Sequence, residues 1–206
     1  ITLEDLVENY GAQPEGRVIH VLRQLCGALD EAHENSLIHR DIKPANIMIN
    51  HRGGQYDYVK LLDFGLVKAL DARDETAVTQ SGFVAGTPLY ISPEGLTNPQ
   101  EVGARSDLYS VGAVGYFMLS GKPVFEGNSV VDVCLQLTSD PPVRPSEKLG
   151  SPVSADFENL ILKCLEKKRE DRPVTARELL KDLSQCSQAA SWTQEQAASW
   201  WSNRQP

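Results

Sequence analysis

The sequence predicts a mainly α-helical domain with one small β-hairpin near its start. Three observations carry that expectation. Apolar residues recur at steps of three and four over most of the chain, the period of a helix with one buried face. A single pair of short β-rich runs flanks Gly53-Gly54, a turn signal. A strongly apolar stretch, Ala104 to Ser120, reads as a buried helix closed by Gly121.

Taken in order, Leu3, Leu6 and Val7 predict a short helix that Gly11 can end. Pro14 opens a longer one, with Val18, Leu22, Leu25, Leu29 and His33 on one stripe and Asn35-Ser36 at its end. A loop follows, then strands over Asn46 to Ile49 and Val59 to Leu62. Residues 63–94 show no sustained period and many Thr, Ser and Gly, and a loop of that length in a compact domain is usually functional. After the buried helix, "SVVDVCLQLTSD" is a helix stopped by Pro141-Pro142. Ser154 is read as the N-cap of a helix presenting Phe157, Leu160, Ile161 and Leu165. Thr175 and Glu178 stand at capping-box spacing before a last core helix. Two regions result: a lobe over 1–185 and a tail over 186–206 that carries Trp192, Trp200 and Trp201. Packing of these rings back on the lobe is the preferred reading; a partner surface is the alternative.

The 206 residues carry a net charge of −8, which argues against nucleic acid as a partner, because phosphate binding draws on excess Lys and Arg. Four cysteines, Cys26, Cys134, Cys164 and Cys186, lie too far apart in sequence for a metal knuckle and are expected to be buried free thiols. No apolar run is long enough to span a bilayer and no signal peptide opens the chain, so a cytoplasmic location is expected, with any membrane anchor lying elsewhere in the parent protein. The first residue is Ile1, inside an apparent helical pattern, and the chain is expected to be a fragment.

The densest chemistry is "HRDIKPAN", His39 to Asn46. Asp41 can accept a proton from a hydroxyl, Asn46 can offer its amide oxygen to a hard cation, and Lys43 places a positive charge between them. Phosphoryl transfer uses such a set: an orienter for the attacking hydroxyl, a metal ligand, and charge on the transferring group. Asp63, in "DFG" just after the second strand, adds a carboxylate suited to Mg²⁺. Taken singly, each piece also reads as a turn, a cap or a satisfied buried polar group.

In this order the motifs resemble the protein-kinase signature: His39-Arg40-Asp41 through Asn46, then Asp63-Phe64-Gly65, then Ser92-Pro93-Glu94 where kinases usually carry Ala-Pro-Glu. Lys43 in "DIKPAN" resembles the serine/threonine branch, and "VTQSGFVAGTPLYISPE" is similar to the activation segment of bacterial Hanks-type kinases. The resemblance covers about residues 1–185 and implies the larger, C-terminal lobe of the protein-kinase-like fold. It implies a catalytic set of Asp41, Lys43, Asn46, Asp63 and Thr87. Asp41 would receive the substrate hydroxyl proton, Lys43 would steady the γ-phosphate, and Asn46 and Asp63 would hold Mg²⁺. Thr87 would bridge toward Asp41 and Lys43. Met48 would lie under the adenine of ATP. His39 and Phe64 would stack in the core, Glu94 and Arg172 would pair as a buried brace, and Asp107 would bond the catalytic-loop backbone from below. Arg40 would await a negative partner, for which Thr79 and Ser81 are the expected phosphorylation sites; Thr76 is a further hydroxyl of that segment.

The implied activity is transfer of the ATP γ-phosphate to Ser or Thr hydroxyls of protein substrates, with a homodimer for trans-autophosphorylation. The Gly-rich loop, strand Lys and Glu partner of the smaller lobe have no counterpart in this sequence, and Lys68 in "GLVKAL" is not on the required strand. That lobe is expected in cis in the parent protein, and this chain alone is expected to be inactive. A pseudokinase or truncated scaffold is the alternative. A small-molecule phosphotransferase of similar fold is disfavoured by the long segment ending at Glu94.

Overall fold

The computed structural model describes residues 1–62 and 88–203. The apolar period holds. Helices α1 (Leu3–Tyr10) and α2 (Glu15–Glu34) are followed by strands β1 (Ile47–Arg52) and β2 (Gln55–Leu61). Helices α3 (Pro93–Thr97), α4 (Ala104–Ser120), α5 (Val130–Ser139), α6 (Pro145–Leu149), α7 (Ala155–Cys164), α8 (Ala176–Gln185) and α9 (Gln194–Ser202) complete the described residues. This is the mainly helical fold expected, with one antiparallel hairpin among the described residues.

The core forms around α4. From Ser106 to Ser120 every residue is buried, so α4 is enclosed by its neighbours and not laid on a surface. Gly112 and Gly115 make that possible. A Cβ on Gly112 would stand 2.5 Å from Cys164 Cβ of α7, and one on Gly115 2.8 Å from Leu22 Cδ1 of α2. Val18, Leu22, Leu25 and Leu29 line α2 as expected and are buried. His33, counted with that stripe, has a polar task described below. Gly121, at φ 72°, ends α4 in the left-handed region that favours glycine.

Several local expectations need correction. Asn46 lies in a 3₁₀ turn, Pro44–Asn46, and not in the strand, because the proline fixes φ and opens a tight turn there. The hairpin is wider than its apolar cores suggest, since ladder bonds extend into the polar residues beside the Gly53-Gly54 turn; Ile47 pairs with Leu61 and Arg52 with Gln55. Both turn glycines have positive φ, as a two-residue hairpin loop requires. Ser154 does stand before α7, but its side chain makes no capping bond. It binds the Glu15 carboxylate instead, tying α7 to the start of α2. Thr175 Oγ1 accepts from Glu178 N at 3.1 Å, while the Glu178 carboxylate accepts from Val174 N, one residue short of a reciprocal box. Cys26, Cys164 and Cys186 are buried free thiols; Cys134 is half-buried. Burial pushes the Cys186 thiol up to about 11. Among the described residues no helix is long and apolar enough to cross a membrane.

Candidate active site

The loop from His39 to Asn46 runs across the N-terminal end of α4, and Asp107 in the first turn of that helix holds it. One Asp107 oxygen accepts from Arg40 N at 2.9 Å. The other accepts from His39 N at 2.9 Å and lies 2.8 Å from His33 Nε2 of α2. A buried carboxylate is stable when its lone pairs meet donors, and these three donors come from two separate segments. The clamp also explains Arg40, whose φ of 66° is rare for a residue with a side chain. The left-handed backbone there swings the next residue, Asp41, outward.

His39 is fully buried. Its Nε2 lies 3.0 Å from Leu62 O and its Nδ1 3.4 Å from Asp41 N. An amide N–H can only donate and a carbonyl can only accept, so the ring carries its proton on Nε2 and spans from the loop to the residue after β2. Leu62 N in turn donates to Asn46 O at 2.8 Å.

Three expected site residues meet at the loop's exposed edge. Lys43 Nζ lies 2.9 Å and 3.2 Å from the two Asp41 oxygens. Asn46 Nδ2 donates to the Asp41 carboxylate and to the Asp41 backbone carbonyl, each at 2.9 Å. With its nitrogen so engaged, the Asn46 amide points its oxygen away from Asp41, and that oxygen has no hydrogen-bond partner among the described residues. This is the orientation a hard cation needs, so the donor present fits Mg²⁺. Met48 lies two residues on in β1, where Thr2 at the head of α1 makes an isolated bridge to it. Asp63, Phe64, Thr76, Thr79, Ser81 and Thr87 lie outside the described residues.

Behind the loop, Glu94 at the start of α3 meets Arg172. The guanidinium is fully buried and gives two bonds, 2.7 Å and 2.8 Å, to the two Glu94 oxygens. Its remaining donors reach the carbonyls of Arg105, Glu166 and Lys167. Ser106 Oγ adds a third bond to Glu94 at 2.5 Å. Burial pushes the Glu94 carboxyl up, but the bonds from Arg172 and Ser106 outweigh it and hold the group down at about 2. Ser92, the small residue standing for alanine, caps α3 by accepting from Gly95 N.

A second buried ion pair was not legible. Arg17 of α2 binds Asp57 of β2 at 2.7 Å and 2.8 Å, and both side chains are fully buried. The one sequence signal was a charged residue inside the apolar stretch of each element.

This fold and loop are those of the helical lobe of the protein-kinase-like fold. The Protein kinase domain profile matches residues 1–183, and the chain belongs to that family. It resembles the bacterial Hanks-type branch. It is 42% identical over 182 residues to serine/threonine-protein kinase PknB of Mycobacterium leprae, covering 88% of this chain and 28% of that protein. It is also 42% identical over 171 residues to serine/threonine-protein kinase pkn3 of Myxococcus xanthus, covering 82% of this chain and 31% of that one. The chain thus spans less than a third of these curated relatives. Among solved structures, Rad53 1–466 in complex with AMP-PNP aligns with a TM-score of 0.69 at 25% identity, over 88% of this chain and 43% of that one. The Rad53 kinase domain and SCD2 in complex with AMPPNP aligns with a TM-score of 0.72 over 98% of this chain and 74% of that one, and at 22% identity it speaks for the fold.

Proposed function

We propose that this chain is the catalytic lobe of a serine/threonine protein kinase, which moves the γ-phosphate of ATP to Ser or Thr hydroxyls of proteins. The cluster of Asp41, Lys43 and Asn46 on a loop held by Asp107 carries the reading. The substrate hydroxyl gives its proton to the Asp41 carboxylate while its oxygen attacks the γ-phosphorus. The bond from that phosphorus to the β–γ bridging oxygen breaks, and ADP leaves. Lys43, 2.9 Å from Asp41, would steady the γ-phosphate. Mg²⁺, which Asn46 and Asp63 would hold, neutralises charge on the phosphates when bound. Met48 would lie under adenine, and Thr87 would complete the substrate site. The Gly-rich loop and strand lysine of a second lobe are needed to close over ATP, so this lobe by itself binds the nucleotide poorly.

In the full-length protein Asp41→Ala lowers turnover by about 10²–10⁴-fold, the usual scale for a positioned proton acceptor. Phosphorylation of a generic Ser/Thr peptide measures it, and near-normal turnover would sink the assignment.

For regulation, Arg40 is the cation beside Asp41, and a phosphate on Thr79 or Ser81 adds about −1.5 to −2 charges that can order a loop through it. A second copy of the full-length protein acts as the phosphorylating partner. Mass spectrometry after incubation with Mg²⁺–ATP finds phosphate at these residues, and the Thr79→Ala, Ser81→Ala double variant loses activity. Full activity in that variant refutes the switch.

A further inference from the structure

The matched family region ends at residue 183, yet the chain beyond it enters the fold deeply. After α8 the backbone doubles back over α2. A Cβ on Gly16 would overlap Ser191 Oγ and stand 3.0 Å from Trp192 N and 3.1 Å from Gln188 O. Helix α9 then starts on a reciprocal cap between Thr193 and Gln196 and lies on β2.

The contacts converge on one carboxylate. Trp192 Nε1 donates to Asp57 Oδ2 at 2.9 Å and Trp201 Nε1 to Asp57 Oδ1 at 2.7 Å. Together with the two bonds from Arg17, each Asp57 oxygen accepts two donors. Trp200 covers the Arg17 guanidinium at 3.9 Å and Trp192 stands 5.1 Å from it. The outer edge of β2 is closed in the same way. Gln194 accepts from Tyr56 N at 2.7 Å and donates to Tyr56 O at 3.2 Å. Gln24 of α2 donates to Asp57 O and accepts from Val59 N. Asp57 itself sits at φ 54°, a conformation its four side-chain bonds hold in place.

The other end of β2 runs into the active site. Leu62, the residue after the strand, bonds Asn46 through its N–H and His39 through its carbonyl, and Asp63 follows it. The strand is therefore a short rail, gripped by the tail at Tyr56 and Asp57 and joined at Leu62 to the loop that carries Asn46.

We propose that the tail from Ser187 to Asn203 is a strap that acts through β2 to position the metal-binding end of the catalytic loop, with Asp57, Trp192 and Trp201 as positioning residues. This rests on the phosphotransfer reading above. Two variants of the full-length protein test it: Trp201→Phe, which keeps a ring and removes one donor, and Asp57→Asn, which keeps the shape and removes the charge. Gly112→Ala, which crowds α4 against Cys164 at the end of α7 opposite to Asp156, the residue that bonds the strap's Ser187, is the control for general destabilisation.

Hydrogen exchange of the 56–62 segment is read first, well below the melting temperature. In Trp201→Phe it quickens about tenfold or more, as loss of a bond to a charged group implies, while α4 is unaffected. Mg²⁺-dependent binding of a non-hydrolysable ATP analogue is read next. The Mg²⁺ concentration for half-saturation rises several-fold in Trp201→Phe and Asp57→Asn but not in Gly112→Ala. Unchanged exchange in Trp201→Phe, or an unchanged Mg²⁺ requirement where exchange has quickened, overturns the proposal. If Asp57→Asn does not fold, Trp201→Phe decides alone. Wild-type protein that binds no Mg²⁺–ATP refutes the kinase reading and with it the strap's role at the metal; quickened exchange in Trp201→Phe would then still support the tail's grip on β2.

Discussion

Glu94 and Arg172 stand far apart in sequence and meet with neither group left in water. The pair has few ways to fail gently. Arg172→Ala leaves the Glu94 carboxylate buried among three vacated carbonyls, and loss of one partner of such a pair costs about 3–5 kcal/mol. Denaturant titration of the full-length protein measures that loss, and an unchanged midpoint would mean that the brace carries no stability. A pH signature goes with it. The folded Glu94 carboxyl lies at about 2, below its ordinary 4.5. A depressed carboxyl contributes stability that is whole above the ordinary value and drains away as pH falls from about 4.5 toward 2. Glu94→Gln therefore loses the part of the acid-induced drop that falls in that window, which a melting series across acid pH reads directly.

At the scale of elements, close approach between α4 and α7 is set by an absence of side chain. A methyl at Gly112 would meet Cys164 Cβ at 2.5 Å, and a backbone-proximal atom cannot move aside as a side-chain tip can. Gly112→Ala thus forces the helices apart and costs about 1–3 kcal/mol, the usual range for overpacking. A lowered melting temperature with the loop chemistry intact is the expected result. The apolar period made α4 legible as a buried helix, because helical residues enclosed on all sides show no polar face. The partner it touches at Gly112 was not legible, since the period says which face is buried and nothing about against what. Strand limits were lost for a related reason: ladder bonds recruit polar residues that no apolar pattern marks.

For the whole molecule, the tail decides how much of the chain belongs to one folded body. Gly16→Ala places a methyl on the path of Ser191 and Trp192 and pushes the strap off α2 without altering any of its own residues. Chymotrypsin, which cuts after Trp192, Trp200 and Trp201, then cleaves the strap at a rate about tenfold or more above wild type, as expected when a segment opens locally. Equal cleavage of the two proteins would show that the strap tolerates the methyl. Arg17 and Asp57 are the reason a loosened strap matters: the two Trp N–H donors and the ring over the guanidinium are what the tail brings to an ion pair otherwise held by the lobe.

The sequence by itself determined the helical class, the hairpin, the loop of Asp41, Lys43 and Asn46, and the residues of the Glu94–Arg172 brace through their place in a family pattern. Local spacing is sufficient for the loop, because so short a stretch keeps Asp41 and Asn46 within reach of each other in any compact form. Tertiary structure alone decided that Asp107 serves two segments at once, that His33 leaves the apolar stripe to bond it, and that Asp57 is where Arg17, Trp192 and Trp201 converge. Those partners lie from 40 to 144 residues from Asp57. No periodicity links positions so remote; only the folded path of the chain, which brings the tail back over α2, puts their donors around one carboxylate.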